Sequence, residues 1–293
     1  MSGVEIKDRG VWVIDIETLA GLFTYIGYNI HTKEVVKFVI HKIKDNLKEF
    51  IEHLNQCKGH ISFNGLGFDY PIIHYILKEY NKWKSLDLNR TQVIDLIYAK
   101  AQWIIESQNQ NNEKKVYVSI PEKEVIIPQL DLFSIFHFSN KAKLTSLKWI
   151  QFSIDYLNIE EMPIHHSTKD ISLDQIKEVL SYNENDVMST YELYKIAIGE
   201  TEHPLYKGID KIQLRKDIIE EFNIKCINHN DVKIGDEINK LIYCKLSGIN
   251  KYNLPKKGTF RSKIKVEDCV KIVPNFESLE LLIYLNLNHH PML

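Results

Sequence analysis

VWVIDIETLAGLFTYIGYNIHTKEVVKFVI (residues 11–40) decides how the chain folds. β-Branched and aromatic side chains dominate VWVIDI (11–16), FTYIGYNI (23–30) and EVVKFVI (34–40), with turn residues between them. That composition predicts three consecutive antiparallel strands. Next, DNLKEFIEHLNQC (45–57) carries Leu47, Phe50, Ile51 and Leu54 at helical spacing, with Asp45 as its cap. HISF (60–63) reads as a short buried strand. FNGLGFD turns from it into a helix reaching about residue 83, with Pro71 suited to the first turn.

Further along, the pattern predicts a helix over 91–107 and an exposed polar loop over 108–115. A hairpin from VYVSI (116–120) and EVIIP (124–128) and a strand at QLDLF (129–133) follow. The clearest helix spans 172–198. Ser172 and Gln175 form a capping-box pattern, and Ile176, Val179, Leu180, Val187, Tyr191 and Tyr194 mark its buried face. Three strands, a helix, then alternating strands and helices predict an α/β fold, a mixed β-sheet flanked by helices.

After about residue 200 the character changes. Amphipathic helices are expected over 212–225 and 231–248, the second ending at Gly248, and FESLELLIYLNL (276–287) is a helix or a strand. Residues 199–211 mark the expected boundary between a domain of residues 1–200 and a small, mostly helical region of 201–293. The net charge of −2 hides an asymmetry. Residues 201–293 hold 15 Lys/Arg against 12 Asp/Glu, and within 251–271 seven cations face two acids. A near-neutral total is therefore no argument against a nucleic-acid partner, because phosphate contacts depend on local basic patches. A solvated surface loop is the plainer alternative for that run.

No run approaches a membrane span and the N-terminus lacks a secretory signal, so a cytoplasmic protein without membrane association is expected. Cys57, Cys226, Cys244 and Cys269 are scattered without a CxxC pair, which speaks against a disulfide framework and a zinc site. His165-His166 and His289-His290 read as solvated loop pairs rather than metal ligands.

Three short phrases carry the chemistry. Asp15 and Glu17 are two apart on a strand, so their side chains share one face, roughly 6.6–6.8 Å apart along it. Two carboxylates so placed approach a divalent ion from one side, and hard oxygen ligands suit Mg²⁺ or Mn²⁺. Asp69 opens a helix after a turn in which Gly65 and Gly67 allow close approach and Asn64 offers both a donor and an acceptor. Tyr182 and Asp186 are four apart on the strongest helix and project from one face. Each phrase alone has an ordinary alternative: an exposed strand end, a helix cap, or a core tyrosine beside a surface acid.

Together the phrases resemble the Exo I, Exo II and Exo III motifs of the DnaQ-like 3′–5′ exonucleases, in the DEDDy branch with its ribonuclease H-like fold. Asp15-Ile16-Glu17 matches DxE, Asn64 to Asp69 matches Nx3(F/Y)D, and Tyr182 to Asp186 matches Yx3D. The histidine branch would need His where this chain has Ser181. The resemblance covers about residues 8–198. It implies that Asp15, Glu17, Asp69 and Asp186 hold two Mg²⁺ (or Mn²⁺) ions, one activating the attacking water and one stabilising the leaving 3′ oxygen. Tyr182 would orient that water, since a phenol with a pKa of about 10 is a poor base at neutral pH. By position, Thr18, Leu19, Asn64 and Phe68 would hold the 3′ nucleotide, with Phe68 or Leu19 wedged against a base.

SFNGLGFDYPII (62–73) resembles most the proofreading domains of family B and related phage DNA polymerases. Lys141, Lys143 and Lys148 lie in an acid-free stretch from 132 to 154 and suit contact with backbone phosphates. No polymerase palm signature follows residue 200. The expected activity is metal-dependent removal of nucleotides from single-stranded or frayed DNA 3′ ends, alone or with a DNA polymerase or other replication protein. An RNase D-like exoribonuclease and a non-catalytic nucleic-acid-binding subunit are the alternatives.

Overall fold

The computed structural model describes residues 10–109, 120–138, 145–202 and 206–254. The predicted triplet forms as β1 (Val11–Leu19), β2 (Leu22–Asn29) and β3 (Val35–His41), paired antiparallel in sequence. Helix α1 (Leu47–Gln56) leads to β4 (Gly59–Ser62), which joins β1 in parallel, and β5 (Gln129–Asp131) adds in parallel to β4. The sheet order is β3-β2-β1-β4-β5, the mixed arrangement that a ribonuclease H-like fold requires.

Alternation along β1 decides what lies on each side. Trp12, Ile14 and Ile16 point into one core cluster with α1 and with residues of α2 (Asp69–Ser85) and α3 (Arg90–Asn109). Val11 and Val13 point the other way. There they pack with the short α4 (Leu132–Ile135), with α5 (Leu147–Ser153) and with Val187, Leu193 and Tyr194 of α6 (Leu173–Ala197). Asp15 and Glu17 continue the Val11–Val13 row toward α6. Helix α6 begins with the capping box read from Ser172 and Gln175, whose two reciprocal bonds are both present.

Two sequence expectations are corrected. EVIIP is not a hairpin strand: a 3₁₀ turn occupies Glu122–Glu124, and the Ile126 amide donates to His74 Nε2 at 3.0 Å instead of to a strand partner. The other arm, 116–119, lies outside the described residues. QLDLF stops being a strand at Asp131, because the Asp131 carboxylate accepts the Phe133 amide and starts α4 there.

The first compact unit runs to Ile242, and a second begins at Tyr243. Within the first, α7 (Lys211–Phe222) packs onto the α6 side of the sheet through Ile212. Helix α8 (Asp231–Ser247) follows, and Gly248 after it takes a positive φ of 71°. Most of the basic stretch and residues 276–287 lie outside the described residues. No described helix is long and apolar enough to cross a membrane.

Arg215 on α7 is fully buried. It donates to the carbonyls of Lys211, His229 and Ile135 and to Asp231 Oδ1 at 2.7 Å. Arg215→Ala would leave several buried carbonyls unsatisfied around a cavity, a loss on the order of 3 kcal/mol. Urea denaturation of the full chain measures it, and a loss under about 1 kcal/mol would show that water replaces these bonds.

Candidate active site

Asp15 and Glu17 reach the cleft from the middle and end of β1, paired across the sheet with Ile26 and Thr24. The α6 helix closes over them. Asn183 donates to the Asp15 carboxylate and faces Thr24 Oγ1 at 3.4 Å. One turn on, Asp186 is 5% exposed and receives Lys148 Nζ at 2.8 Å and Gln151 Nε2 at 2.9 Å. The Tyr182 hydroxyl also bonds to Asp186, and the Lys148 ammonium lies 4.4 Å from the centre of the Tyr182 ring.

The third phrase arrives through the turn after β4. Asn64 takes a left-handed φ of 61°, a conformation asparagine tolerates better than most residues. A 3₁₀ turn over Gly65–Gly67 follows, and Asp69 opens α2 at 3% exposure. Gly65 is needed for space: a Cβ there would stand 1.9 Å from Ser62 Oγ and 2.3 Å from Gln129 Nε2. The turn is therefore pressed directly onto β4 and β5.

Electrostatics show that three separate segments have converged. Burial, then the charges of Asp69, Glu17 and Asp186, raises the Asp15 carboxyl well above its ordinary range. Burial and the charges of Asp186 and Asp69 push Glu17 up to about 8, against the pull of Lys148. Burial lifts Asp69 to about 7, although the Asp69 and Ile16 amides donate to it and oppose the rise. Burial and the nearby carboxylates of Asp186 and Glu17 also hold the Tyr182 phenol protonated.

The carboxylates of Asp15, Glu17 and Asp186 line one cleft together with Asn64. Phe63, Phe133, Thr145, Ser146 and Leu147, the last three leading into α5, also line it. Phe63 and Phe133 meet edge to face, 5.1 Å between ring centroids. Leu19, expected at the 3′ nucleotide, is instead 1% exposed, packed among Leu22, Val39, Ile176 and Val179. Thr18 is buried at the end of β1, and Phe68 is half-buried against the α2 core. Lys143 and Lys141 lie outside the described residues. The aromatic wall was missed in the sequence because Phe63 and Phe133 read as core residues of short strands.

Among the described residues, no three His, Cys, Asp or Glu side chains stand as a ready-made metal cage. The donor set is nonetheless all carboxylate oxygen, held together against its own repulsion, which suits a hard divalent cation. On Asp186 the Lys148 ammonium supplies the positive charge.

Residues 13–150 match the family described as RNase_H superfamily, in keeping with the RNase H-like α/β fold. No curated protein and no solved structure matches the chain.

The raised carboxyl values fix a sign. Glu17 binds its proton more tightly folded than unfolded, so its contribution to stability is fully present below about pH 4.3 and is lost as pH rises through about 8. Glu17→Gln removes that ionisation, so the melting-temperature gain of the metal-free variant should grow between pH 5 and pH 8, about the two ends of this window. Added Mg²⁺ should raise the melting temperature of wild type at the upper pH and that of the variant much less. A variant whose gain is independent of pH contradicts the shared-charge site.

Proposed function

We propose that this chain is a divalent-cation-dependent 3′–5′ exonuclease acting on single-stranded or frayed DNA ends. The observation that carries this reading is that Asp15, Glu17 and Asp186 line one cleft with Phe63 and Phe133, and that buried Asp69 lies close enough for its charge to raise Asp15 and Glu17. The RNase_H superfamily match over 13–150 supports it, because such a match suggests a nucleic-acid-processing nuclease.

The four carboxylates are the residues that would hold Mg²⁺ or Mn²⁺. When bound, such ions lower the pKa of an attacking water and offset charge on the phosphoryl and leaving oxygens. The chain's own groups do the rest. Tyr182 stays protonated at neutral pH, so its hydroxyl orients a water rather than taking a proton from it. Lys148 is free to turn its ammonium from Asp186 to a phosphate oxygen once a cation satisfies that carboxylate. Asn64 presents its amide at the cleft, and Phe63 and Phe133 offer ring surface to a terminal base of any identity. Residues 1–200 carry these groups, and the basic stretch 251–271 is the natural place for added phosphate contacts, with Lys143.

DNA is preferred over RNA on the wording of residues 62–73. RNA is the second reading, and a non-catalytic nucleic-acid-binding subunit of a replication assembly is the third. Digestion of 3′- and 5′-labelled single-stranded DNA and RNA with Mg²⁺ separates them. Stepwise loss from the 3′ end, absent with Asp186→Ala and with EDTA, is expected. Tyr182→Phe should slow turnover about a hundredfold without weakening Mg²⁺ binding. Loss from the 5′ end, or equal rates with Asp186→Ala, contradicts the assignment.

A further inference from the structure

We propose that Asp131 and Asn228 are positioning residues for this site, and that the segment after residue 206 braces the cleft by holding the Asn64 turn in place. The inference rests on the nuclease reading for what the turn does, but its structural half stands apart from it.

Asp131 ends β5 and is 1% exposed. A helix cap needs one carboxylate oxygen, and Asp131 does cap α4 by accepting the Phe133 amide at 3.0 Å. It does more than that. Oδ1 also accepts the Asn64 amide at 3.0 Å, and Oδ2 accepts the Leu66 amide at 3.2 Å and faces Ser134 Oγ at 3.4 Å. Both turn amides thus end on one buried carboxylate. These bonds fix the backbone on either side of Gly65, where the left-handed Asn64 must direct its side chain into the cleft. Burial lifts the Asp131 carboxyl to about 6, although the four donors oppose the rise.

Asp131 is in turn held from outside the 13–150 stretch. β5 is an edge strand, and the side chain of Asn228 pairs with it as a neighbouring strand would. Asn228 Oδ1 accepts the Asp131 amide at 2.8 Å, and Asn228 Nδ2 donates to the Gln129 carbonyl at 2.8 Å. The Asn228 loop is tied down next door, where buried Arg215 donates twice to the His229 carbonyl, at 3.0 and 2.8 Å. Arg215 also reaches the Ile135 carbonyl at the end of α4. The contacts run without a gap from α7 through Asn228 and Asp131 to Asn64. None of these residues touches the four carboxylates as a ligand, so loosening them should change substrate seating before it changes chemistry.

The test uses the full chain with Asn228→Ala and Asp131→Asn. Asp131→Asn turns an acceptor into a donor facing the Leu66 amide or Ser134; Asn228→Ala is the milder variant should Asp131→Asn fail to fold. Two readouts are taken: hydrogen exchange of the Asn64 and Leu66 amides, and steady-state cleavage of a single-stranded oligonucleotide. Exchange at both amides should speed up, and KM should rise roughly tenfold, the scale of one charge-assisted hydrogen bond, with kcat within about twofold of wild type. Unchanged exchange at 64 and 66 in a folded variant overturns the brace, and so does a loss confined to kcat. Wild-type protein that cleaves no nucleic acid overturns the preceding reading instead, and the exchange rates then decide the brace alone.

Discussion

Four buried carboxylates, three lining one cleft and Asp69 close by, repel one another, and the surrounding structure is arranged to tolerate that repulsion. Desolvation penalises each charge and the neighbouring carboxylates add to the penalty, outweighing the donors that oppose it, so Asp15, Glu17 and Asp69 all hold protons more tightly than free acids do. Nothing about a stable α/β sheet requires this. Apolar residues at 15 and 17 would continue the Val11–Val13 row and pack against α6 as their neighbours do. A fold that keeps such a cluster gives up stability there, as active sites commonly do, and this is the ground on which the nuclease site is proposed.

The devices that tolerate the cluster are local and specific. Asn183, Gln151, Tyr182 and the Lys148 ammonium all direct donors at Asp15 or Asp186. Amides of Asp69 and Ile16 donate to Asp69. The α6 helix matters most, because it carries Tyr182, Asn183 and Asp186 on one face and is locked at its start by the Ser172 capping box. Its apolar positions Val187, Leu193 and Tyr194 anchor it to the sheet, which lets the polar face stay aimed at β1. Rigid placement of this kind is what makes a polar site effective, since the groups need not reorganise when substrate arrives.

Much of this was legible in the sequence. The strand triplet and α6 with its cap follow from period-two and period-3.6 patterns, which depend on local side chains alone, whereas the expectation that the carboxylates group came from the resemblance of the three phrases to exonuclease motifs. What escaped depends on contacts far apart in the chain. Leu19 looked available because its position follows the acidic phrase, yet packing with Ile176 and Val179, more than 150 residues on, buries it. EVIIP has strand propensity, but among the described residues no strand pairs with it and the His74 side chain takes the Ile126 amide. Asp131 read as one polar residue in an apolar strand; only the fold shows it facing the Asn64 turn. Asn228 and Arg215 carry no local signal at all, because their partners are carbonyls and amides of distant segments.

The most direct measurement is a crystal structure of the full chain grown with Mn²⁺, with anomalous scattering used to locate the ions. Cation density bounded by Asp15, Glu17, Asp69 and Asp186, with the Lys148 ammonium moved off Asp186, is the expected result. A cleft without cation density at millimolar Mn²⁺, Lys148 still seated on Asp186, would contradict the reading of these carboxylates as a metal site.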